Sequence, residues 1–384
     1  MMARLGDYIE QIRGVSYKPE DVCTAQDKDA VAILRANNIQ DDGLNFDDLV
    51  YVKKSKVSAI QYIKAGDIVV CASSGSKNLV GKAAIATEDM DFSFGAFCKV
   101  VRPRKLLPSY VGHYFQSPKY RNKISELAGG ANINNIRNEH IDELDIVVPN
   151  SDEQERISIE LNKTCYLISL RKQQLLKLDE LVKSRFIELF GDQESNPFGW
   201  EQCSIGECCT LKSGTSLPVE VENEGGSIPY VKVGDMNYPG NERYITTSSR
   251  YVSEETAGKG LFEVGSIIFP KRGGAIGTNK KRMTKLPICA DLNVMGVSSN
   301  GQLLPEYLLA YFDMIDLGAL SDGSSVPQIN NKNIAPLVIC VPSMDLQKQF
   351  AAFVEQTDKS KFEIQQSLEK LETLKKALMQ KYFG

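Results

Sequence analysis

LDIVVPNSDEQERI, residues 144–157, returns 193 residues later as LVICVPSMDLQKQF, residues 337–350. The echo extends in both directions. Ser125 to Gly191 aligns without a gap to Gly318 to Gly384, with 20 identities in 67 pairs, far above what two unrelated segments share. Each copy opens on alternating apolar residues (Leu144, Ile146, Val148; Leu337, Ile339, Val341), the pattern of a strand with one buried face. Pro149 or Pro342 stops it. An acidic start follows (Asp152, Gln154; Asp345, Gln347), then a long helical pattern closing on Phe190-Gly191 or Phe383-Gly384. The unit to explain is therefore a domain plus a long helix, used twice.

No Gly or Pro interrupts residues 157–189 or 350–382, so each predicts a helix about 50 Å long at ~1.5 Å per residue. Steps of four and three select Ile157, Leu161, Thr164, Ile168, Arg171, Leu175, Leu178, Val182, Arg185 and Leu189 in the first helix. In the second they select Phe350, Val354, Thr357, Lys361, Ile364, Leu368, Leu371, Lys375, Leu378 and Tyr382. A mostly apolar stripe at this spacing is a coiled-coil seam and requires a partner helix. The first helix leaves the first domain and feeds the second. By the repeat, the second leaves the second domain and runs back, so the pair is expected to be antiparallel about a pseudo-twofold axis. The expected architecture is α/β (α+β): a domain over 1–150, a helix over 151–191, a similar domain over 192–343 and a helix over 344–384, with the domains at opposite ends of a rod.

Shorter matches carry the repeat to the front of each half. Leu5-Gly6-Asp7 to Gly14 matches Ile205-Gly206-Glu207 to Gly214, and Ile33 to Gly43 resembles Tyr230 to Gly240. Gly66-Asp67-Ile68 matches Gly265-Ser266-Ile267, a glycine turn before a strand. Leu106-Leu107-Pro108 with Tyr110, Tyr114 and Phe115 matches Leu303-Leu304-Pro305 with Tyr307, Tyr311 and Phe312: a proline-started helix with an aromatic core face. A polar loop follows in each half, Gly129-Gly130-Ala131-Asn132 and Gly323-Ser324-Ser325. Residues 192–200, DQESNPFGW, connect the halves.

Composition excludes several function classes. At 42% hydrophobic and 24% charged residues the chain is an ordinary globular protein. No apolar run nears the ~18 residues of a membrane span and no signal peptide opens it, so the cytoplasm is the expected compartment. Nine cysteines, an odd number, suit reduced thiols. Cys203, Cys208 and Cys209 cluster without a nearby His or a CxxC pair, so no metal site is expected. His113 and His140 are the only histidines, leaving little material for His-based catalysis. Net charge is −4, yet residues 92–125 hold seven Lys/Arg and no Asp/Glu, and residues 264–290 hold six and none. Two basic runs at related places predict basic faces that bind a polyanion.

These features in this order resemble the DNA-specificity subunit of type I restriction–modification enzymes over the full length. The resemblance is carried by the paired Gly-Asp-Ile and Gly-Ser-Ile turns, the Leu-Leu-Pro helices, the Val-Pro tails, and Glu188-Leu189-Phe190-Gly191 with Asn196-Pro197-Phe198-Gly199-Trp200. It implies two target-recognition domains, each reading half of a split double-stranded DNA site, with the helices setting the unread gap. It also implies a subunit with no catalytic centre of its own. Two adenine methyltransferase subunits would dock on it, with restriction/translocase subunits possible, and S-adenosylmethionine, ATP and Mg would sit on those partners. No Walker A motif or dinucleotide loop contradicts this. Base reading needs Arg, Lys, Asn, Gln or Ser on loops. The candidates are Ser74, Lys77 and Asn78 in the first domain, and Lys271, Arg272, Asn279, Lys280 and Arg282 in the second. Because the loops differ, SSGSKN against KRGGAIGTNKKR, the half-sites should differ and the target be asymmetric. The competing reading is a stand-alone two-domain DNA-binding or scaffold protein without methyltransferase partners.

Overall fold

The computed structural model describes residues 1–128, 134–222 and 225–384; the polar loop at 129–132 lies outside them. The chain forms two compact units, Met1–Gln173 with Ile364–Gly384, and Gln174–Glu363. Each unit takes part of both long helices with it.

In the first unit the Val-Pro segment forms a strand, Asp145–Val147, antiparallel to Met2–Arg4. A four-stranded antiparallel sheet runs in the order Ala83–Ile85, Ile68–Cys71, Cys98–Pro103, Ile9–Arg13. A second sheet orders Phe92–Phe94, Ala30–Leu34, Val50–Lys53 and Val22–Cys23, with its first two strands parallel. The second unit repeats this plan. Glu201–Ser204 pairs with Val338–Val341. Cys209–Ser213, Val294–Ser299, Ile267–Pro270 and Arg282–Thr284 stand in for the first sheet, extended by Tyr244–Ile245. Ile228–Val231 and Ile288–Ala290 form the parallel pair of the second.

The residues shared by the two halves make the same contacts. The turn glycines Gly66 and Gly265 both have φ of 85°, and a Cβ on either would lie 2.7 Å from the proline that opens the next helix, Pro108 or Pro305. Only glycine suits that turn. Those helices, Pro108–Gln116 and Pro305–Asp313, bury Tyr110, Tyr114 and Phe115, or Tyr307, Tyr311 and Phe312. The hydroxyl of Tyr110 donates to the Val147 carbonyl and that of Tyr307 to the Cys340 carbonyl, both at 2.8 Å. Gln154 and Gln347 are buried clamps. Each accepts from the backbone N–H of the residue before the proline (Leu107, 2.9 Å; Leu304, 2.7 Å) and donates to the carbonyl of Pro149 or Pro342 at 3.0 Å. The matched "acidic start" therefore locks the long helix to the domain it leaves.

The long helices span Ser151–Phe190 and Met344–Phe383. Every seam position named from the spacing is buried or half-buried. In the first unit Glu160 meets Tyr382 and Arg171 meets Ser367. In the second, Asp179 meets Lys361 and Phe190 meets Phe350. Partner numbers fall as helix numbers rise, so the pairing is antiparallel within each unit. The seam widens where a helix end reaches a domain. Phe383 packs on Tyr110 at 5.2 Å between ring centroids, and its repeat mate Phe190 packs on Tyr307 at 4.7 Å. Each domain core is thus completed by the end of one helix and the start of the other.

The connector is ordered by its own chemistry. Asn196 takes φ of 41°, and its side-chain amide bonds both the N–H and the carbonyl of Trp200 at 2.9 Å, while the Trp200 indole donates to the Phe190 carbonyl at 3.0 Å. Asn196-Pro197-Phe198 is a structural turn.

Candidate nucleic-acid interface

Several cations of the two basic runs are engaged internally, while Lys105, Lys123, Arg272 and Lys285 are exposed. In the first run, the Arg102 guanidinium pairs with Asp67, bonding both carboxylate oxygens at 2.7 Å, and Arg104 pairs with Glu10. Buried Lys99 donates to Gln11 and Asn138, and burial pushes its pKa down to about 8. Arg121 donates to the carbonyls of Val80 and Asn78 at 2.9 and 2.8 Å. In the second run, Lys281 is buried against the Ile315 carbonyl and its pKa is likewise pushed down to about 8. The cause is general: a cation half-surrounded by apolar packing must find an internal acceptor.

What the fold does present in each unit is a polar loop stapled to the segment that precedes Ile136 or Ile329. The loop after Ile68–Cys71 lies beside the segment before Ile136. Ser73 pairs with Asn135 and Ser74 with Asn134, and the Ile136 N–H donates to the Ala72 carbonyl at 2.8 Å. The second unit does the same. Arg272 bridges Gln328, the Ile329 N–H donates to the Lys271 carbonyl at 2.9 Å, and the Gly273 N–H donates to the Pro327 carbonyl at 2.8 Å. Asp322 closes the second loop, accepting from the N–H of Gln328 at 3.1 Å and from the N–H and hydroxyl of Ser324 at 3.3 and 2.9 Å. Those bonds hold its carboxyl below the usual range. The result in the second unit is a platform of two stapled loops.

The candidate residues divide on this frame. Lys77 and Asn78 are exposed at the tip of the first unit's loop, while the Ser74 hydroxyl, half-buried, accepts from the Ser76 N–H at 3.1 Å. Arg272 is exposed on the platform of the second. Lys271 is half-buried and donates to Ser213 at 2.9 Å. Lys280 donates to Asn237. Asn279, left-handed at φ of 53°, uses its carbonyl oxygen to accept from the Leu317 N–H and from Lys281. Arg282 is half-buried and donates to the carbonyls of Lys281 and Met236. Arg282 is thus engaged internally, while Asn279 is exposed and uses its side-chain oxygen to brace the turn. Sequence reasoning passed over Ser73, Asn135 and Gln328. The available signal was the polar loop matched in both halves.

Among the described residues, both histidines and the Cys208–Cys209 pair are held in internal hydrogen bonds or burial. His113 is buried, bonded through Nε2 to Asn162 at 2.8 Å, and burial pushes its pKa down to about 4. His140 accepts from the Arg137 N–H. Burial raises the thiols of Cys208 and Cys209 to about 11, which makes them poor nucleophiles.

A duplicated α+β domain, each copy with a stapled polar loop and each joined to a long helix, has known counterparts. The sequence matches the family described as type I restriction modification DNA specificity domain twice, over residues 1–180 and 197–376. The chain belongs to that family. It is similar to the type I restriction enzyme EcoKI specificity subunit of Escherichia coli K12, with 28% identity over 97% of this chain and 86% of that one. It is also similar to the StySPI specificity subunit of Salmonella potsdam, with 42% identity over 62% of this chain; the match spans 55% of that relative's length. Among solved structures, a type I S subunit from M. genitalium superposes with a TM-score of 0.59, covering 100% of this chain and 96% of that one at 17% identity. A second, from work on complex assembly and conformational transition of the type I R-M system, superposes at 0.56 with 16% identity. These likenesses support the fold. The two matched domains coincide with the two loop platforms, so this is a type I specificity chain with one platform per specificity domain. Among the described residues no helix is long and apolar enough to cross a membrane.

Proposed function

We propose that this chain is the non-catalytic DNA-reading subunit of a type I restriction–modification enzyme and that it recognises a bipartite, asymmetric double-stranded site. The observation that carries the reading is the loop platform, built by the same backbone bonds in both units and decorated differently in each. Exposed lysines and Arg272 supply phosphate neutralisation, which makes affinity fall with salt. The stapled loops supply base readout. The helices supply the unread gap.

Partners follow from surfaces the fold leaves uncovered. Tyr166, Leu176, Phe362 and Leu374 lie on the long helices at 63%, 63%, 64% and 46% exposure. Apolar residues of this size left on paired helices suit docking of further helices. We assign them to two adenine methyltransferase subunits, which would bring S-adenosylmethionine; restriction subunits with ATP and Mg would join that assembly in the cytoplasm.

The test is methylation sequencing of host cells with and without the gene. The expected result is one split adenine-methylated motif, with two unlike half-sites, that disappears on deletion. A palindromic motif contradicts the asymmetry, and an unchanged methylome contradicts the reading. Affinity purification of the chain from the same cells should recover a methyltransferase. Recovery of the chain alone favours the stand-alone DNA-binding alternative.

A further inference from the structure

Resting on that reading, we propose that one cross-strand pair in each platform sets base preference. The pair is Arg272 with Gln328 in the second unit and Ser73 with Asn135 in the first, and Arg272 reads a guanine.

The geometry singles out these positions. Arg272 and Gln328 are directly opposed across an isolated antiparallel bridge, as Ser73 and Asn135 are opposed in a short antiparallel ladder. Directly opposed residues project to the same face, with Cβ atoms roughly 5 Å apart. The flanking bonds repeat: the carbonyls of Lys271 and Ala72 accept from the N–H groups of Ile329 and Ile136. The two pairs are therefore the same place in the fold with different side chains.

Elimination among the cations of the second run points the same way. Lys271 is bonded to Ser213, Lys280 to Asn237, Lys281 to the Ile315 carbonyl and Arg282 to two backbone carbonyls. Lys285 lies over the Tyr244 ring at 4.4 Å. Among the described residues, no hydrogen bond or ion pair engages the exposed Arg272 guanidinium. It sits on backbone fixed by the Lys271, Gly273 and Gln328 contacts, so little ordering is lost when it binds. A guanidinium presents parallel N–H donors that match the O6 and N7 acceptors of guanine, and a neighbouring glutamine amide matches adenine. Ser73 and Asn135 cannot reproduce the guanidinium fork. Asn135 has the amide that pairs with adenine. The second half-site therefore requires a guanine at a position whose counterpart in the first does not.

The experiment uses the complex purified from its host and the motif obtained by methylation sequencing. Each guanine of the half-site read by the second domain is replaced in turn by 7-deazaguanine, which lacks the N7 acceptor. The wild-type complex should lose about tenfold or more in affinity at one guanine only. Arg272→Ala should bind the normal and substituted duplexes alike, and cells carrying it should methylate sites with any base at that position, the other half-site unchanged. A half-site without guanine, or a wild-type complex indifferent to every substitution, overturns the proposal without needing the variant. So does an Arg272→Ala complex that weakens on all duplexes equally while retaining the guanine dependence, the signature of a phosphate contact. Failure of the underlying reading looks different: the wild-type complex then has no motif and no sequence preference.

Discussion

Gly66 and Gly265 show how much the repeat depends on single residues. Both combine a left-handed backbone with a proline 2.7 Å from where a Cβ would be. Gly66→Ala or Gly265→Ala should each lower stability by about 1–3 kcal/mol, measured by denaturant unfolding. Gly75, which has open space around it and no positive φ, should tolerate alanine. Buried Lys99 makes a prediction about pH. Its folded pKa lies near 8, below the ordinary value of about 10.4. Between those two values the unfolded chain holds more protons on this group, so its contribution to stability rises with pH across that window. Lys99→Met, which borrows Met295 from the equivalent place in the other sheet, should remove that rise. Lys281, shifted the same way, should keep its own. Melting curves from pH 7.5 to about 10.5 distinguish the two. The roles of these cations were the part not legible in the sequence. Whether Arg102 faces DNA or Asp67 depends on a partner 35 residues away, and a run of positive residues says nothing about that distance.

The elements themselves were legible because periodicity and backbone-specific residues encode them. The seam spacing located both long helices, and the Val-Pro strands, glycine turns and proline-started helices occur where their patterns placed them. The parallel strand pair of each second sheet was not legible, because Phe92–Phe94 joins Ala30–Leu34 across some sixty intervening residues and short apolar runs do not name their neighbours. Seam and outer face now make opposite predictions. Leu161 is fully buried and Leu176 is 63% exposed. Leu161→Ala should cost about 2–4 kcal/mol, while Leu176→Ala should stay within roughly 0.5 kcal/mol. Phe383 is the sharper test. It is the last residue of its helix, where fraying would normally make substitution harmless, yet it lies in the first unit's core against Tyr110 and Tyr114. Phe383→Ala should destabilise by about 3 kcal/mol, seen as lost protection of Tyr110 and its helix in hydrogen exchange. A loss confined to the final helical turn would mean that the helix end merely rests on the domain.

At the scale of the molecule the question is why each long helix runs unbroken from the residues of one unit into those of the other. Two domains of one fold could be joined by any flexible linker if each read DNA independently. Here both connections are helices of 40 residues, each locked at its start by a buried glutamine and at its end by a buried phenylalanine. Such locking is wasted unless spacing and rotation matter. Deleting residues 167–173 together with 365–371, which face one another by the Arg171–Ser367 contact, removes one heptad from each helix and preserves the seam. The pair shortens by about 10 Å, or roughly three base pairs of duplex. Methylation sequencing of this variant should return both half-sites unchanged with the unread gap shorter by that amount. Deleting the heptad from one helix alone keeps the seam in phase but displaces that helix by about 10 Å along its partner, so that Phe190 or Phe383 no longer reaches the core it completes; this should lower stability and abolish methylation. If the double deletion methylates the parental motif with the parental gap, then the helices do not measure the site, and the spacing must come from the subunits that bind them.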